Sequence, residues 1–261
     1  MALSLALVAD FVLIMARTMA WLYAAPVFSD RGFSTFARTT TALGLSVFLV
    51  TVISPTTLST TPVGAAATAT LGGFALLAAG QIAVGLVMGW VASTLLAAFE
   101  SAGSLIDLNS GFALSALFDP QSGNQVAVFS RFTRLLFVTL LFATGAFRQL
   151  VSGFILSFQA VPLDKMPQFS FDIPLVVDLL STMLLASLQI AAPVLGALFL
   201  TEVTLAIAQR FAPTANVFIL GLPAKTLITL LVLGSSLMFY PLFLNRLVTL
   251  SLQASSTLLG G

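Results

Sequence analysis

The 261-residue chain contains no cysteine and no histidine. Without cysteine it can form no disulfide, no thiolate nucleophile and no cysteine-ligated metal site. Without histidine it lacks the usual general base near neutral pH and the commonest nitrogen ligand of zinc, copper and haem. Many catalytic and metal sites depend on these side chains, so we expect no enzymatic activity, no metal and no cofactor.

Charged side chains are also scarce. Only 7% of the residues are charged, ten basic and nine acidic, while 59% are hydrophobic and the mean hydropathy is +1.10. Soluble domains are about a quarter charged, and so few ionisable side chains cannot coat a water-soluble domain of this size. The apolar faces must therefore meet lipid, partner subunits or both. The net charge of +1, with no long basic run, argues against nucleic-acid binding.

Motifs for nucleotide chemistry are missing too. The sequence has neither a G-x-x-x-x-G-K-[ST] loop nor a G-x-G-x-x-G turn between a strand and a helix, so the chain does not itself hydrolyse ATP. Glu100 and Asp107 lie seven residues apart and flank Gly103. Such a carboxylate pair can serve acid–base chemistry, but no nucleophile accompanies it. We expect a polar helix end there rather than a catalytic site.

Long apolar windows are abundant. A transmembrane helix needs about 20 mostly apolar residues, and prolines stand near the window ends, where helices stop. The pattern predicts an all-α, polytopic, hydrophobic membrane-associated protein with six to seven helices arranged in hairpins. The windows are 3–25, 37–54, 71–99, 135–160, 175–208 and 216–244, with a shorter one at 247–259.

Two windows are longer than one bilayer crossing. The stretch 71–118 fits either a tilted helix or a hairpin, and 175–208 has room for a bend at Pro193. Gly85 and Gly89 form a small-xxx-small pair that lets helix backbones approach closely. We therefore expect a helix contact at this pair, although glycine is common in membrane helices in general.

Several ionisable side chains lie inside the apolar windows. Asp10 and Arg17 are separated by about 10 Å along one helix face, so we expect each to have a partner on another helix. A charge at mid-bilayer costs about 2.5–3.5 kcal/mol, so such residues should face protein or an aqueous path. Polar contacts between helices and subunits are favoured over an ion or proton relay, because relay-spaced acid pairs do not recur. Arg148, Asp178, Glu202 and Lys225 are embedded in the same way.

Three stretches carry a family resemblance. The central one is GFALSALFDPQSGNQVAVF (111–129), with the turn Phe-Asp-Pro-Gln-Ser-Gly at 118–123. The others are Ala-Pro-Val-Phe at 25–28 and Ala-Pro at 212–213, followed by Asn216, Gly221 and Pro223. Together they resemble the FliR family, the flagellar member of the export-gate proteins of bacterial type III secretion. The likeness extends over nearly the whole chain.

The resemblance implies a single export-gate subunit over 1–261, with N-terminal helical hairpins at 1–170 and a C-terminal hairpin region at 171–261. It implies a hetero-oligomer with two companion small export-gate membrane proteins and other export-apparatus subunits, packed as a helical assembly. Its expected location is the bacterial inner membrane, as a multi-pass protein of the flagellar basal body. The expected cargo is unfolded flagellar proteins.

The resemblance also implies that the segment 111–125 plugs the export channel. Glycine and proline permit a bent path, apolar side chains exclude water, and polar side chains satisfy the backbone where the helix stops. From residue types alone, an ordinary turn between two helices explains the same segment. The predicted plug residues are Gly111, Phe112, Leu114, Leu117, Phe118, Asp119, Pro120, Gln121, Ser122 and Gly123.

A second set of residues is predicted to serve assembly. Asn216, Gly221 and Pro223, with Lys225, look like a helix-breaking bend at a subunit contact, which a plain interhelical turn explains as well. The full set is Asp10, Arg17, Glu202, Asn216, Gly221, Pro223 and Lys225.

Two other functions remain open on sequence. One is a secondary transporter of a small solute that uses Asp10, Arg17, Glu202 and Lys225 at the bilayer midplane. The other is the injectisome counterpart of the same gate, which differs only in its secreted cargo.

Overall fold

A computed structural model describes residues 2–28, 34–53, 70–111, 127–167, 173–211 and 217–259. Across these ranges the regular structure is helical and contains no strand. The helices are α1 (Ala2–Ala24), α2 (Thr35–Ile53), α3 (Leu71–Ser110), α4 (Val128–Ala143), α5 (Ala146–Ala160), α6 (Ile173–Phe211), α7 (Val217–Ser236) and α8 (Tyr240–Leu258).

The predicted all-α fold is confirmed. A single 3-10 turn, Leu237–Phe239, joins α7 to α8 without a gap, so the two count as one long helix when spans are considered. With that pair counted once, the described residues hold seven helices, in agreement with the six to seven predicted.

The long windows form single helices. Residues 71–110 make one 40-residue helix, so the hairpin alternative for 71–118 is wrong over this range. Helix α6 runs for 39 residues with Pro193 inside it. A proline removes one backbone hydrogen bond, which a long membrane helix tolerates when neighbouring groups satisfy the freed carbonyl.

The predicted window 135–160 is two helices, not one. Helix α4 ends at Ala143 and α5 begins at Ala146. Gly145 has φ +73°, the left-handed conformation that glycine adopts without a steric penalty and that commonly ends helices. The Thr144 N–H and hydroxyl both donate to the Leu140 carbonyl, at 2.9 and 2.8 Å, which satisfies the helix end. An apolarity window cannot register this stop, because Thr144 and Gly145 hardly change the mean hydropathy.

The chain divides into two compact units, each built from separate segments of sequence. Unit 1 comprises Met1–Leu95, Phe147–Val177 and Val248–Gly261, and unit 2 comprises Leu96–Ala146 and Asp178–Leu247. The predicted division into 1–170 and 171–261 describes regions along the sequence and stays a prediction.

Unit 1 is held by an apolar core shared among α1, α2, α5 and the first part of α3. Trp21 of α1 stacks on Phe154 of α5 with ring centroids 4.6 Å apart. Gly85 and Gly89 of α3 lie against α1: a Cβ on Gly85 would collide with the backbone oxygen of Arg17, and one on Gly89 with the Cβ of Ala24. The predicted helix contact at this glycine pair is therefore confirmed. The core residues include Leu13, Ile14, Leu22, Leu49, Val84, Phe154 and Phe158.

Unit 2 contains the last part of α3, helices α4 and α7, most of α6 and the first part of α8. Phe99 of α3 packs against Phe137 of α4 at 5.2 Å and edge-on to Tyr240 at 6.3 Å between centroids. Helix α4 buries Phe129, Thr133, Phe137 and Leu141, which recur every four residues and so form one face.

Five helical stretches of the described residues are long and apolar enough to cross a membrane: Leu7–Ala24, Thr35–Val52, Leu71–Ser110, Val176–Phe211 and Gly221–Leu258. Composition and helix length together indicate an integral membrane protein. Helix α2 buries only 17% of its window within the chain, whereas α3 buries 61%. The outer faces of α2 therefore need lipid or another protein.

Candidate functional site

The predicted plug is described only at its base. Gly111 lies within the described residues, whereas Phe112, Leu114, Leu117, Phe118, Asp119, Pro120, Gln121, Ser122 and Gly123 lie outside them. What the structure gives is the way in which α3 ends and α4 begins on either side of residues 112–126. Both sides belong to unit 2.

Gly111 ends α3. The helix runs to Ser110, and Gly111 has φ +88°, a left-handed conformation that a residue with a Cβ adopts at a steric cost. The predicted helix end at Gly111 is confirmed.

Asp107 caps the helix on the other side of the segment. Its Oδ1 accepts a hydrogen bond from the Phe129 N–H and its Oδ2 one from the Ser130 N–H, both at 2.9 Å. These are the second and third amides of α4, the ones that an N-cap side chain normally satisfies. The local N-cap residue, Ala127, makes no side-chain cap bond. The carboxylate of one helix therefore caps the next, and its charge lies at the positive end of that helix dipole.

Further contacts hold α3 against α4 above this cap. Gly103 allows close approach, because a Cβ there would collide with Ser130 Cα and Thr133 Oγ1. The Ser130 hydroxyl donates to the Glu100 carbonyl at 3.2 Å, and the Glu100 carboxylate pairs with Arg134 at 3.2 Å. Together with Asp107, these contacts fix both ends of residues 112–126 at one place. We call this set (Glu100, Gly103, Asp107, Ser130 and Arg134) the hairpin clamp.

The hairpin clamp also decides the chemistry of the carboxylate pair. Asp107 is 4% exposed and has both oxygens engaged by backbone amides, while Glu100 is held by an arginine. Neither is arranged as a free acid or base. Among the described residues, no group of three or more acidic, histidine or cysteine side chains could hold a metal ion.

Arg17 forms a second polar centre, in unit 1. It is fully buried on α1, yet its guanidinium donates to Gln81 Oε1 of α3 at 2.7 Å and to the Ser157 and Val161 carbonyls at 3.0 and 2.7 Å. It also contacts the Ser157 hydroxyl at 3.3 Å and lies 4.2 Å from the centroid of the Phe158 ring. We call Arg17 with these four partners the Arg17 anchor.

The Arg17 anchor stabilises the buried charge without a carboxylate from the described residues. Each hydrogen-bond acceptor of Arg17 is a neutral oxygen, and two of them are carbonyls at the C-terminal end of α5. The Ser157 carbonyl also accepts the Val161 N–H at 2.9 Å, and both carbonyls lie at the negative end of the helix dipole, so a cation is stabilised there. The contacts agree with the expectation that Arg17 finds partners on other helices. They are fixed structural bonds of the kind expected for polar contacts between helices.

The other embedded charges differ in burial. Asp10 is 2% exposed, whereas Arg148 and Asp178 lie at the surface of the chain. Glu202 of α6 and Lys225 of α7 form an ion pair at 2.5 Å, with the Glu202 side chain 51% exposed. This pair joins two helices, which agrees with the expected polar contacts between helices.

Gly221 and Pro223 do not break the helix. Both lie inside α7, which runs from Val217 to Ser236, so the predicted helix-breaking bend is wrong at these two positions. Gly221 is buried and faces α6, where a Cβ would come within 3.2 Å of Leu205 Cδ1. The absence of a side chain at Gly221 allows close helix packing, and Pro223 removes only one backbone hydrogen bond from the helix. Asn216 lies outside the described residues.

The four residues of the transporter alternative belong to different units. Asp10 and Arg17 are in unit 1, and Glu202 and Lys225 are in unit 2. Within each unit Arg17 and Glu202 already have partners from the chain itself.

Sequence reasoning missed the partners in both polar centres. Gln81 and Ser157 were not singled out, and Asp107 was considered only with Glu100 as a possible acid–base pair. The signals for Asp107 were present, since it stands four residues after Gly103 and four residues before Gly111, which ends the helix. Two of the Arg17 acceptors are backbone carbonyls, which no residue type reveals.

Comparison with known proteins places the chain. The family described as bacterial export proteins, family 1, matches residues 8–250. The chain belongs to this family. The resemblance that its motifs carry is thereby confirmed, and the clamped hairpin and the Arg17 anchor are features of a bacterial export protein.

Individual relatives come from two kinds of system. The chain is 32% identical over 163 residues to the flagellar biosynthetic protein FliR of Bacillus subtilis (strain 168), covering 61% of this chain and 63% of that protein. It is 35% identical over 160 residues to the Yop proteins translocation protein T of Yersinia pestis, covering 60% and 61%. The FliR of Pectobacterium carotovorum subsp. carotovorum is 28% identical over 232 residues, covering 88% and 85%. The matches therefore span about three fifths of the first two relatives and most of the third.

Proposed function

We propose that this chain is a non-enzymatic subunit of the flagellar type III protein export gate, which passes unfolded flagellar proteins across the bacterial inner membrane. The observation that carries the proposal is the family match over residues 8–250, which includes all three motif stretches. The lengthwise similarity to a flagellar biosynthetic protein supports the flagellar assignment. The proposed location is the flagellar basal body, with several helices spanning the membrane.

The exposed apolar surface supports assembly with other subunits. Large hydrophobic side chains such as Phe199, Leu231 and Met238 are exposed in unit 2. In the proposed assembly, two companion small membrane proteins cover such faces. Asp10, Arg17, Glu202, Asn216, Gly221, Pro223 and Lys225 contribute to it through packing between helices or subunits.

The segment 111–125 is the proposed plug of the channel. The hairpin clamp supports this role, because a plug must stay attached at a fixed point while it blocks the conduit. Gly111 and the Asp107 cap supply that point on the two sides of the segment.

Co-purification tests the proposal. The tagged chain, expressed in the source bacterium and extracted in a mild detergent, should bring along two small membrane proteins in fixed ratio, and deletion of its gene should abolish swimming. A chain that purifies alone as a stable monomer or dimer, with a melting temperature raised by a small solute, would point to the transporter and refute the gate.

The injectisome counterpart is the second candidate. It is favoured by the similarity to the Yop proteins translocation protein T, which has the higher identity over the shorter match. A gene deletion that leaves swimming intact and abolishes protein secretion into the medium would select this candidate over the flagellar one.

A further inference from the structure

An open groove of about 370 Å³ runs along unit 1 between α5 and the last part of α8, with Met88 of α3 also lining it. Its lining extends from Arg148 to Ala160 on the α5 side. A volume of this size lies in the range of small-molecule sites rather than of packing defects. The groove belongs to neither the hairpin clamp nor the Arg17 acceptors, apart from the edge formed by Ser157.

The shape of the groove favours an elongated occupant. Its lining on α5 recurs every three to four residues from Arg148 to Ala160, which is about 18 Å of helix. An extended acyl chain can follow such a stripe along one helix face.

The walls of the groove are apolar along most of its length. Leu156, Leu252 and Leu259 line it together with Met88. The two serines on the α8 side, Ser255 and Ser256, donate to carbonyls of their own helix at 2.8 Å, so they present little unsatisfied polarity. Such walls suit hydrocarbon.

One end of the groove is polar and positively charged. Arg148, Gln149 and Ser152 are exposed there. Among the described residues, none of the three side chains has a hydrogen-bond or ion-pair partner. Their donors are available to an anion, and a guanidinium matches the geometry of a phosphate better than any other side chain. The charge at this end complements the headgroup of an anionic phospholipid.

We propose that this groove is a binding site for an anionic phospholipid, with one acyl chain between α5 and α8 and the phosphate held by Arg148, Gln149 and Ser152. Every residue that lines the groove belongs to unit 1. It would keep a lipid molecule seated on the chain wherever its surface meets the bilayer.

Fluorescence quenching by brominated lipid tests the site directly. The chain has two tryptophans, and Trp21 lines a small cavity that shares Met88, Leu252 and Ser255 with the groove. In a Trp90→Phe background, the full-length protein is placed in phosphatidylcholine nanodiscs that contain increasing brominated phosphatidylglycerol or brominated phosphatidylcholine. We expect Trp21 to be half-quenched at about fivefold lower mole fraction of the anionic lipid, the preference that one arginine near a membrane surface confers.

Two variants and one control decide the result. Arg148→Gln should abolish the preference of Trp21 quenching for the anionic lipid. Ser152→Phe, which fills the groove, should reduce quenching by both lipids. The control Arg210→Gln, in unit 2, should change neither the preference nor the extent of quenching. Unchanged Trp21 emission without brominated lipid will verify that each variant folds. Equal quenching by the two lipids, a preference that survives Arg148→Gln, or loss of quenching in the complex with companion proteins would overturn the proposal. The last outcome would mean that a partner protein covers the groove.

Discussion

Arg17 is a buried cation that has no acidic partner among the residues that the structure describes. Moving an ion out of water carries a large desolvation penalty, which only good geometry and several charge-assisted hydrogen bonds can offset. The Arg17 anchor provides four such contacts from two other helices and an aromatic face. Because these partners come from α3 and α5, a single side chain ties together three helices of unit 1.

Replacing Arg17 should therefore destabilise the whole unit. Arg17→Met removes the donors for Gln81 Oε1 and the Val161 carbonyl, while the Ser157 carbonyl keeps its bond from the Val161 N–H. Each buried acceptor left unsatisfied costs about 1–3 kcal/mol. We expect a loss of roughly 3 kcal/mol or more, measured as a lower denaturant midpoint of the detergent-solubilised protein. Arg17→Lys should recover only part of it, because an ammonium cannot reach acceptors on both helices in the fork geometry of a guanidinium.

The control for this experiment is Arg210→Met, at an exposed position near the end of α6. It removes the same charge with little expected effect on unfolding. If the two methionine variants unfold at the same denaturant concentration, the Arg17 anchor does not stabilise the fold.

At the residue scale, the sequence indicated that Arg17 needs partners but not which ones. Its spacing from Asp10 excluded an easy pair within one helix, and that exclusion was sufficient to predict contacts with other helices. The identity of the contacts depends on where α5 ends in space, which no local pattern contains. The glycine pair at 85 and 89 was readable because backbone approach leaves a signature in residue size.

At the scale of elements, the hairpin of α3 and α4 is the best-defined feature near the proposed plug. Its contacts pair residues in antiparallel order, from Phe99 with Phe137 to Asp107 with Phe129 and Ser130. The cap, the glycine approach and the aromatic pair all fix the same register. A shift of one residue would separate the Asp107 carboxylate from both amides.

Removing the Asp107 carboxylate should open the start of α4. Asp107→Ala removes the carboxylate oxygens to which the Phe129 and Ser130 amides donate, at a typical cost of about 1–2 kcal/mol for a lost N-cap. We expect hydrogen exchange of these two amides to accelerate roughly tenfold or more, with smaller changes later in α4. Asp107→Asn keeps one carbonyl oxygen and should have an intermediate effect.

Asn109→Ala is the matched control. Asn109 lies two residues away on the same helix, and its side chain bonds only to the Leu105 carbonyl among the described residues. Exchange of the α4 amides should stay unchanged in this variant. Equal acceleration in both variants would show that the end of α3, rather than the carboxylate, protects α4.

Helix ends were predictable where an apolar window had one clear end. They were not predictable where a helix ends because of its backbone conformation. The ends of α1 and α2 agree with the apolar windows to within a few residues. Gly145 divides the window 135–160 through a positive φ, Pro193 lies inside a 39-residue helix, and Pro223, contrary to the prediction, does not break α7. Residue type biases a backbone, but packing around it decides the outcome.

At the scale of the whole molecule, composition gave the class correctly and could not identify what covers each face. Hydropathy records only that a surface avoids water, and lipid and a partner subunit satisfy that condition equally well. The same limit applies to the proposed plug, whose assignment depends on the family resemblance together with a base that the structure describes. Its function is a property of the assembly.

Deleting residues 112–123 should make the assembled gate leaky. The deletion removes the apolar side chains that are proposed to keep the conduit dry, so sodium or proton leak should rise when the complete gate is expressed. Leak can be followed as loss of membrane potential or as growth arrest at high salt. A same-length replacement by glycine and serine should leak as well, because it lacks the apolar bulk.

If leak stays at the wild-type level in both variants and export is intact, residues 112–126 are only a connection between two helices. Asp107→Ala should be measured alongside them. Because this variant retains every plug residue, a higher leak would show that the Asp107 cap is needed to keep the channel closed.

The Asp107 cap also affects which insertions this protein can tolerate in the course of evolution. It closes a ring whose perimeter includes the fifteen residues at 112–126, and the entropy of closing such a ring grows by only about 0.6 kcal/mol for each doubling of its length. Insertions in 112–126 should therefore cost the helices on either side little stability. Natural insertions or an engineered reporter peptide can therefore lengthen this segment, while the contacts between α3 and α4 keep their register.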